Sequence, residues 1–316
     1  MKEIKIKTGS NLSAILQSTV NLPQAFTELV KNSLQNFGTF VDITIENDKI
    51  LVEDDGKSFD DIEDTTGKND FDKYFVFGNS YDTTSGNGIR LGHMGIGGKL
   101  ANDKLSTSGA PNWSLHCKNK NKKAFIVNYN PDKNEFLDDY SPEVTEINYD
   151  KSLVKSDTGT LIVINEVNPQ ISKPGVFNNI KNELKTFFGF LVGKLAEENK
   201  KFKITFNGES LDFDYRLPGN AFGHIKKSFD YDLYGETKTS EIEFKLSMIK
   251  DRSLIENHPL QGIEIISQVK ICDFNLSDNN LIEKVYKNIS EKEGKDIAVQ
   301  SNVLNLFRNL IGFVSC

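Results

Sequence analysis

The sequence predicts an α+β protein of two domains, and three observations carry that prediction. An amphipathic helix is followed at once by an alternating hairpin, a series of short strand-like runs ends at a wholly apolar strand near residue 160, and a long helix from Val176 opens a second mixed unit. With 316 residues and 37% hydrophobic content, the chain has room for two such cores.

The elements follow in order. Residues 1–10, MKEIKIKTGS, alternate charged and apolar side chains as a strand does. Pro23 to Phe37 sets apolar residues at 26, 29, 30, 34 and 37, close to helical spacing, with proline in the first turn and Gly38 as the stop. Phe40 to Glu46 alternates, Asn47-Asp48 turns the chain, and Ile50 to Asp54 returns, which reads as a hairpin ending at Asp54-Asp55-Gly56. Residues 57–92 are polar, with a short helix around Tyr74 to Phe77, and read as a mobile cover; a helix then starts at Lys99-Leu100-Ala101. Strands are predicted near 104–108, 113–117, 124–130, 143–149 and 160–167, the last apolar enough to be central. The first domain is placed at 1–170 and the second at 171–316. Val176 to Ala196 is a long helix with Ile180, Leu184, Phe187, Phe188, Leu191 and Leu195 on one face. Beyond it come strands at 201–206, 240–249 and 262–272, helices at 280–290 and 299–309, and a final strand Leu310 to Val314, whose closeness to Cys316 suggests a trimmed C-terminal end.

Composition narrows the function. A net charge of −7 and a pI near 5.3 argue against attraction of nucleic acid by the whole surface, and the basic cluster Lys118 to Lys123 reads as a solvated hairpin turn. Cys117, Cys272 and Cys316 are far apart, so neither a disulfide framework nor a zinc site is expected and a reducing cytoplasm fits. The four histidines are scattered, which supports neither a metal cluster nor a phosphoacceptor. No apolar run approaches the ~20 residues that span a bilayer.

The chemistry is concentrated in four short stretches. Between Gly86 and Leu100 the chain reads GNGIRLGHMGIGGKL, with Gly92, Gly95, Gly97 and Gly98 running into Lys99 and a helix. Glycines let backbone N–H groups approach an anion, and a helix N-terminus adds unpaired donors. Glu28 and Asn32 are four apart on the first helix and point the same way, so a carboxylate that could deprotonate a water stands beside an amide that could ligate Mg²⁺. Asp54 closes a strand two residues before Gly56, where a carboxylate can accept from an exocyclic amine while a flat ring slides past the glycine. Gly159-Thr160 enters the central strand with a hydroxyl that could reach the same base. Each stretch alone is ordinary: an exposed glutamate, a turn, a loop, a strand entry. Their order is what joins them.

In that order the chain resembles the GHKL ATPase superfamily, the Bergerat-fold group of gyrase B, MutL proteins, heat-shock-90 chaperones, MORC proteins and sensor histidine kinases. The resemblance covers roughly residues 20–167 through ELVKNS, VEDDG, GHMGIGGK and DTGTL. It implies a Bergerat-type α/β sandwich that binds ATP, followed by a transducer (S5-like) α/β domain. It also implies Mg²⁺-dependent hydrolysis of ATP to ADP and phosphate, lid closure, a nucleotide-dependent homodimer, and further domains or partner proteins; charge and hydropathy for their part indicate neither membrane nor direct nucleic-acid binding by this chain, and leave DNA binding by another part of a larger assembly open. The MORC, heat-shock-90 and MutL branch is the nearest in character. On this resemblance Glu28 is the general base, Asn32 the Mg²⁺ ligand, Asp54 the adenine acceptor and Gly56 the residue beside the ring. Gly92, His93, Gly95, Ile96, Gly97 and Gly98 form the phosphate-wrapping lid, Lys99 contacts phosphate, and Thr160 stands near the base. Ser58 departs from the family's second glycine, and Gln35-Asn36 from its usual Asp-Ala. A lysine or arginine from beyond the first domain would reach the γ-phosphate after a strand like Leu310 to Val314. A switch or scaffold that binds nucleotide with little hydrolysis stays open, as does the process served: DNA repair, compaction, chaperoning or defence.

Overall fold

The computed structural model describes residues 20–46, 48–65, 67–75, 97–106, 112–129, 143–212, 220–233, 236–248, 263–267, 269–273 and 310–315. The expected N-terminal strand, the helices at 280–290 and 299–309, and the lid residues Gly92, His93, Gly95 and Ile96 lie outside these.

Helix α1, Leu22–Gln35, begins where sequence chemistry demands it. The Asn21 side chain accepts from the Gln24 N–H at 2.9 Å while the Gln24 side chain accepts from the Asn21 N–H at 3.1 Å, a reciprocal cap with Pro23 in the first turn. It ends at Phe37, whose φ of 64° breaks the helical path, and Gly38 N–H then closes back on the Ser33 carbonyl at 2.9 Å. Ala25, Phe26, Leu29, Val30 and Leu34 form the buried face.

That face covers an eight-stranded sheet. Strands β1 (Phe40–Ile45), β2 (Lys49–Asp54), β3 (Trp113–Lys118), β4 (Ala124–Tyr129), β5 (Val144–Ile147), β6 (Gly159–Asn165), β7 (Lys203–Phe206) and β8 (Glu209–Ser210) lie in the order β5-β4-β3-β6-β2-β1-β7-β8. All neighbours are antiparallel except β1 and β7. The apolar β6 is central, as its composition predicts. One lateral row, Cys117, Thr160, Asp54, Val41 and Ile204, runs from β3 to β7. Directly paired residues point to the same face, and α1 lies on that face, because Ser33 bonds Asp54 and Phe26 meets Phe206 edge to face at 6.4 Å. Glu53 faces the other way, where Leu51, Val154, Leu161 and Val163 form a smaller apolar cluster.

Helix α2 is Asp70–Phe75, a few residues before its expected place, and α3 is Gly97–Leu105. The strand expected at 104–108 is corrected: residues 104 and 105 finish α3, and Ser106 makes a single bridge to Val167. Leu100, Ala101 and Leu105 are all buried from one helix, and the Ser106 hydroxyl returns to the Asn102 carbonyl at 2.9 Å, which ends it. Helix α4, Val176–Glu197, follows the predicted span. The strand expected at 201–206 is also corrected, since it belongs to the first sheet rather than to a second one: β7 pairs in parallel with β1, and Asn207 then accepts from the Ile45 N–H at 2.8 Å. A parallel neighbour needs a long crossover, and nothing in the local pattern of 201–206 names its partner.

The chain divides into two compact units, residues 1–184 with 195–212, and residues 185–194 with 213–316. The second contains a sheet of β9 (Asn220–Leu233), β10 (Glu236–Met248), β11 (Ile263–Ser267), β12 (Val269–Asp273) and β13 (Leu310–Ser315), ordered β12-β11-β13-β10-β9. The C-terminal run Leu310 to Ser315 sits inside this sheet, antiparallel to β10 and parallel to β11. Strand β9 has no counterpart in the sequence reading, although apolar residues at 221, 225, 229, 231 and 233 alternate with polar ones at 224, 226, 228, 230 and 232. The single strand expected at 262–272 is two short antiparallel ones. Among the described residues, no helix is long and apolar enough to cross a membrane.

Candidate functional site

Two side-chain clusters share helix α1. Glu28 and Asn32 project toward the start of α3, and Ser33, one residue further and about 100° around the helix, projects toward the sheet.

The first cluster is built on missing Cβ atoms. A Cβ at Gly97 would overlap the Glu28 carboxylate, and one at Gly98 would stand 2.5 Å from the Asn32 side-chain nitrogen. The bare α-carbons of the first turn of α3 thus sit directly against the tips of these two α1 side chains. Within the described residues this is the first turn of α3, and it lies beside a carboxylate and an amide. Glu28 keeps one oxygen on the Lys31 amine at 2.5 Å, and its side chain is 27% exposed, so water can reach it.

The second cluster is buried. Asp54 ends β2 with Oδ1 accepting from the Gly56 N–H at 2.9 Å and Oδ2 accepting from the Ser33 hydroxyl at 2.9 Å. Thr160 lies opposite it on β6 and Cys117 beyond that on β3. Burial pushes the Asp54 carboxyl up to about 6, with the Gly56 N–H and the Ser33 hydroxyl pulling the other way. Two glycines make the close approach possible. A Cβ at Gly56 would be 2.6 Å from the Asn36 carbonyl oxygen, and one at Gly159, whose φ is +144°, would collide with the Asp54 carbonyl oxygen. Ser58, where the family pattern has a second glycine, is buried and is absent from the residues with positive φ, so this turn does not require glycine there.

Lys99 points elsewhere. Its amine donates to the Tyr74 carbonyl on α2 and lies 5.1 Å from the centre of the Tyr74 ring. Burial lowers it to about 8. The Tyr74 ring also meets Phe59 edge to face at 5.2 Å, and its hydroxyl stands 3.4 Å from where a Gly98 Cβ would be.

Of the residues singled out by sequence, Glu28, Asn32, Gly97 and Gly98 come together, and Asp54, Gly56 and Thr160 come together. Three others were not anticipated. Ser33 is a serine on the buried face of an amphipathic helix, a signal that could have been read. Asp103, on α3 between Asn102 and Lys104, accepts from the Trp113 indole at 3.1 Å and is pushed up to about 7 by burial. Tyr74 carries no sequence signal that separates it from its aromatic neighbours. Among the described residues, no three His, Cys, Asp or Glu side chains cluster as a metal cage.

No protein-family model matches the chain, and no curated protein sequence matches it. Solved structures do. The ATPase region of Saccharomyces cerevisiae topoisomerase II is similar with a TM-score of 0.52 and 14% identity, over 93% of this chain and 73% of that one. The same region bound to ICRF-187 (dexrazoxane) gives the same values. The ATPase and transducer domains of DNA topoisomerase II from Balamuthia mandrillaris give 0.51 and 11%, over 93% and 72%. At these identities the likeness shows the fold alone: an α+β fold like that of the topoisomerase II ATPase region with its transducer domain.

Proposed function

We propose that this chain binds ATP with Mg²⁺ and hydrolyses it to ADP and phosphate. The observation that carries the reading is the pair of glycines at 97 and 98, whose bare α-carbons let α3 pack directly on the tips of Glu28 and Asn32, on the same helix whose Ser33 bonds the buried acceptor Asp54. A purine amine would be accepted by Asp54, its ring passing the bare Gly56 and its edge facing Thr160. The triphosphate would lie toward the first turn of α3, whose N–H groups suit phosphate oxygens. Mg²⁺, held by the Asn32 amide oxygen together with phosphate oxygens, would neutralise part of the triphosphate charge. Glu28 takes the proton of a water as its oxygen bonds to the terminal phosphorus, and the bond to the bridging oxygen breaks to release ADP. A base so placed contributes on the order of 10²–10⁴ in rate.

The same reading has a lid that bears Gly92, His93, Gly95 and Ile96 close over nucleotide and favour a homodimer in a reducing cytoplasm, with further domains or partner proteins setting the process. A second reading, a nucleotide-dependent switch with little hydrolysis, draws on Lys99, whose amine is engaged by Tyr74.

Turnover and binding separate the two. Thermal melts with Mg²⁺ and ATP, ADP or a non-hydrolysable analogue should show stabilisation, roughly 2.7 kcal/mol at 100-fold the dissociation constant. Asp54→Asn should lose it. Glu28→Ala should keep binding and abolish phosphate release. Binding without phosphate release in the parent chain would favour the switch, and no stabilisation at millimolar nucleotide would remove both.

A further inference from the structure

Ser33 sits where a serine in a helix ordinarily turns its hydroxyl back on the preceding turn. Its oxygen is 3.3 Å from the Leu29 carbonyl oxygen, the usual partner, but 2.9 Å from Asp54 Oδ2, on a strand 21 residues away. Both groups are buried, Ser33 to 2% exposure. A hydroxyl has one proton, so it can serve only one of these acceptors at a time.

We propose that Ser33 is a positioning residue that keeps Asp54 a hydrogen-bond acceptor, and so makes the base site select 6-amino purines over 6-oxo purines. This rests on the nucleotide reading above. With Asp54 ionised, the Ser33 proton turns to Oδ2 and the Gly56 N–H to Oδ1, and each oxygen keeps a lone pair for an exocyclic amine. With Asp54 protonated, the Ser33 proton turns to Leu29, and the carboxyl O–H becomes a donor that a 6-oxo group can accept. The hydroxyl thus stabilises one of two recognition states and releases the other.

The surroundings leave that balance close. Burial raises the Asp54 carboxyl, and Asp55 and Glu53 beside it on the chain raise it further. From β3 the Cys117 thiol interacts with it, from β6 Thr160 stands opposite, and only the Gly56 N–H and the Ser33 hydroxyl work to keep it ionised. Taking Ser33 away removes one of those two donors.

The test is a calorimetric titration of the full chain with ADP and with GDP between pH 5.5 and 8.5, for the parent, Ser33→Ala and Ser33→Thr, with Mg²⁺ present. The ADP to GDP affinity ratio is the readout, because both nucleotides share the titration of their own phosphates. In the parent the ratio should fall on the order of tenfold as pH drops by one unit through the Asp54 transition. In Ser33→Ala the ratio should be lower than the parent's at every pH, and Ser33→Thr, which keeps the hydroxyl, should restore the parent ratio. An ADP loss in Ser33→Ala that is uniform across pH, with the parent ratio kept, would show a merely structural serine and overturn the proposal. Should Ser33→Ala not fold, the parent profile decides: a ratio flat from pH 8.5 to 5.5 overturns the proposal while leaving the nucleotide site intact. Binding of neither nucleotide by the parent overturns this proposal and the nucleotide reading together.

Discussion

The amine of Lys99 and the main-chain carbonyl of Tyr74 meet across 25 residues of sequence, and their hydrogen bond ties α3 to α2. Burial has lowered that amine to about 8, against an ordinary lysine near 10.5. Between these values the unfolded chain holds a proton that the native one has lost, so stability rises with pH through this window. Below about 8 both states are charged, and the full cost of burying the ammonium is present. Replacing Lys99 by Met removes this dependence. Melting temperature measured from pH 7 to 10.5 should climb in the parent relative to Lys99→Met, and parallel curves would contradict the burial of a titrating amine.

Four glycines divide by what a methyl group would strike. At 97 and 98 it meets the tips of Glu28 and Asn32, which can move; at 56 and 159 it meets main-chain oxygen of Asn36 at the end of α1 and of Asp54 on β2, which cannot move without the backbone. Gly97→Ala and Gly98→Ala should therefore keep the fold and lose at least tenfold in nucleotide affinity. Gly56→Ala and Gly159→Ala should cost stability itself, about 1–3 kcal/mol by overpacking, with Gly159→Ala the worse for its positive φ. Denaturant melts and nucleotide titrations on the four variants check the split.

Trp113 is the chain's single tryptophan, almost fully buried, stacked on Tyr129 at 4.6 Å and hydrogen-bonded to Asp103. Burial raises Asp103 to about 7, so from about pH 4 to 7 the native state holds a proton that the unfolded state has released. Stability from this group thus falls as pH rises through that window and is level above it. Asp103→Asn keeps an oxygen for the indole and cannot ionise. It should melt several degrees above the parent at pH 8 and near it at pH 5, and the step in tryptophan emission centred near pH 7 in the parent should vanish.

Cys117 lies in the lateral row with Thr160 and Asp54, fully buried, and burial pushes its thiol up to about 12. The thiolate is the reactive form. Native protein held with a maleimide at pH 8 should leave Cys117 unmodified by peptide mapping, and denaturant should expose it. Labelling in the native state would mean that the buried cluster around Asp54 opens to solvent.

Much of the site was legible because its parts are local. Glu28 and Asn32 share a face by helical geometry alone, and Asp54 closes its strand because an alternating run ends there. The elements that were misread had local patterns that answer to distant partners. Residues 201–206 form a strand as predicted, yet their partner β1 lies some 160 residues earlier, and only the crossover through α4 brings them together. Residues 104–108 have the composition of a strand, but Leu105 completes the buried stripe begun by Leu100 and Ala101, and helix wins. Ser33 was passed over because a buried serine is satisfied by its own helix in most settings; here Asp54 competes for the proton.

What the sequence determined by itself is the set of short-range facts: the capped helix at 22–35, the hairpin that ends at Asp54, the central apolar strand, and the spacing that aligns Glu28 with Asn32. Each depends on a repeat of two or 3.6 residues, or on a cap three residues away, and needs no partner. The tertiary structure alone decided which groups meet: Gly97 and Gly98 against Glu28 and Asn32, Ser33 on Asp54, and Lys99 on Tyr74. Those choices turn on burial. A charged or polar side chain taken out of water accepts whatever donor or acceptor packing puts within reach, and that is a property of the assembled core, not of the neighbouring residues in the chain.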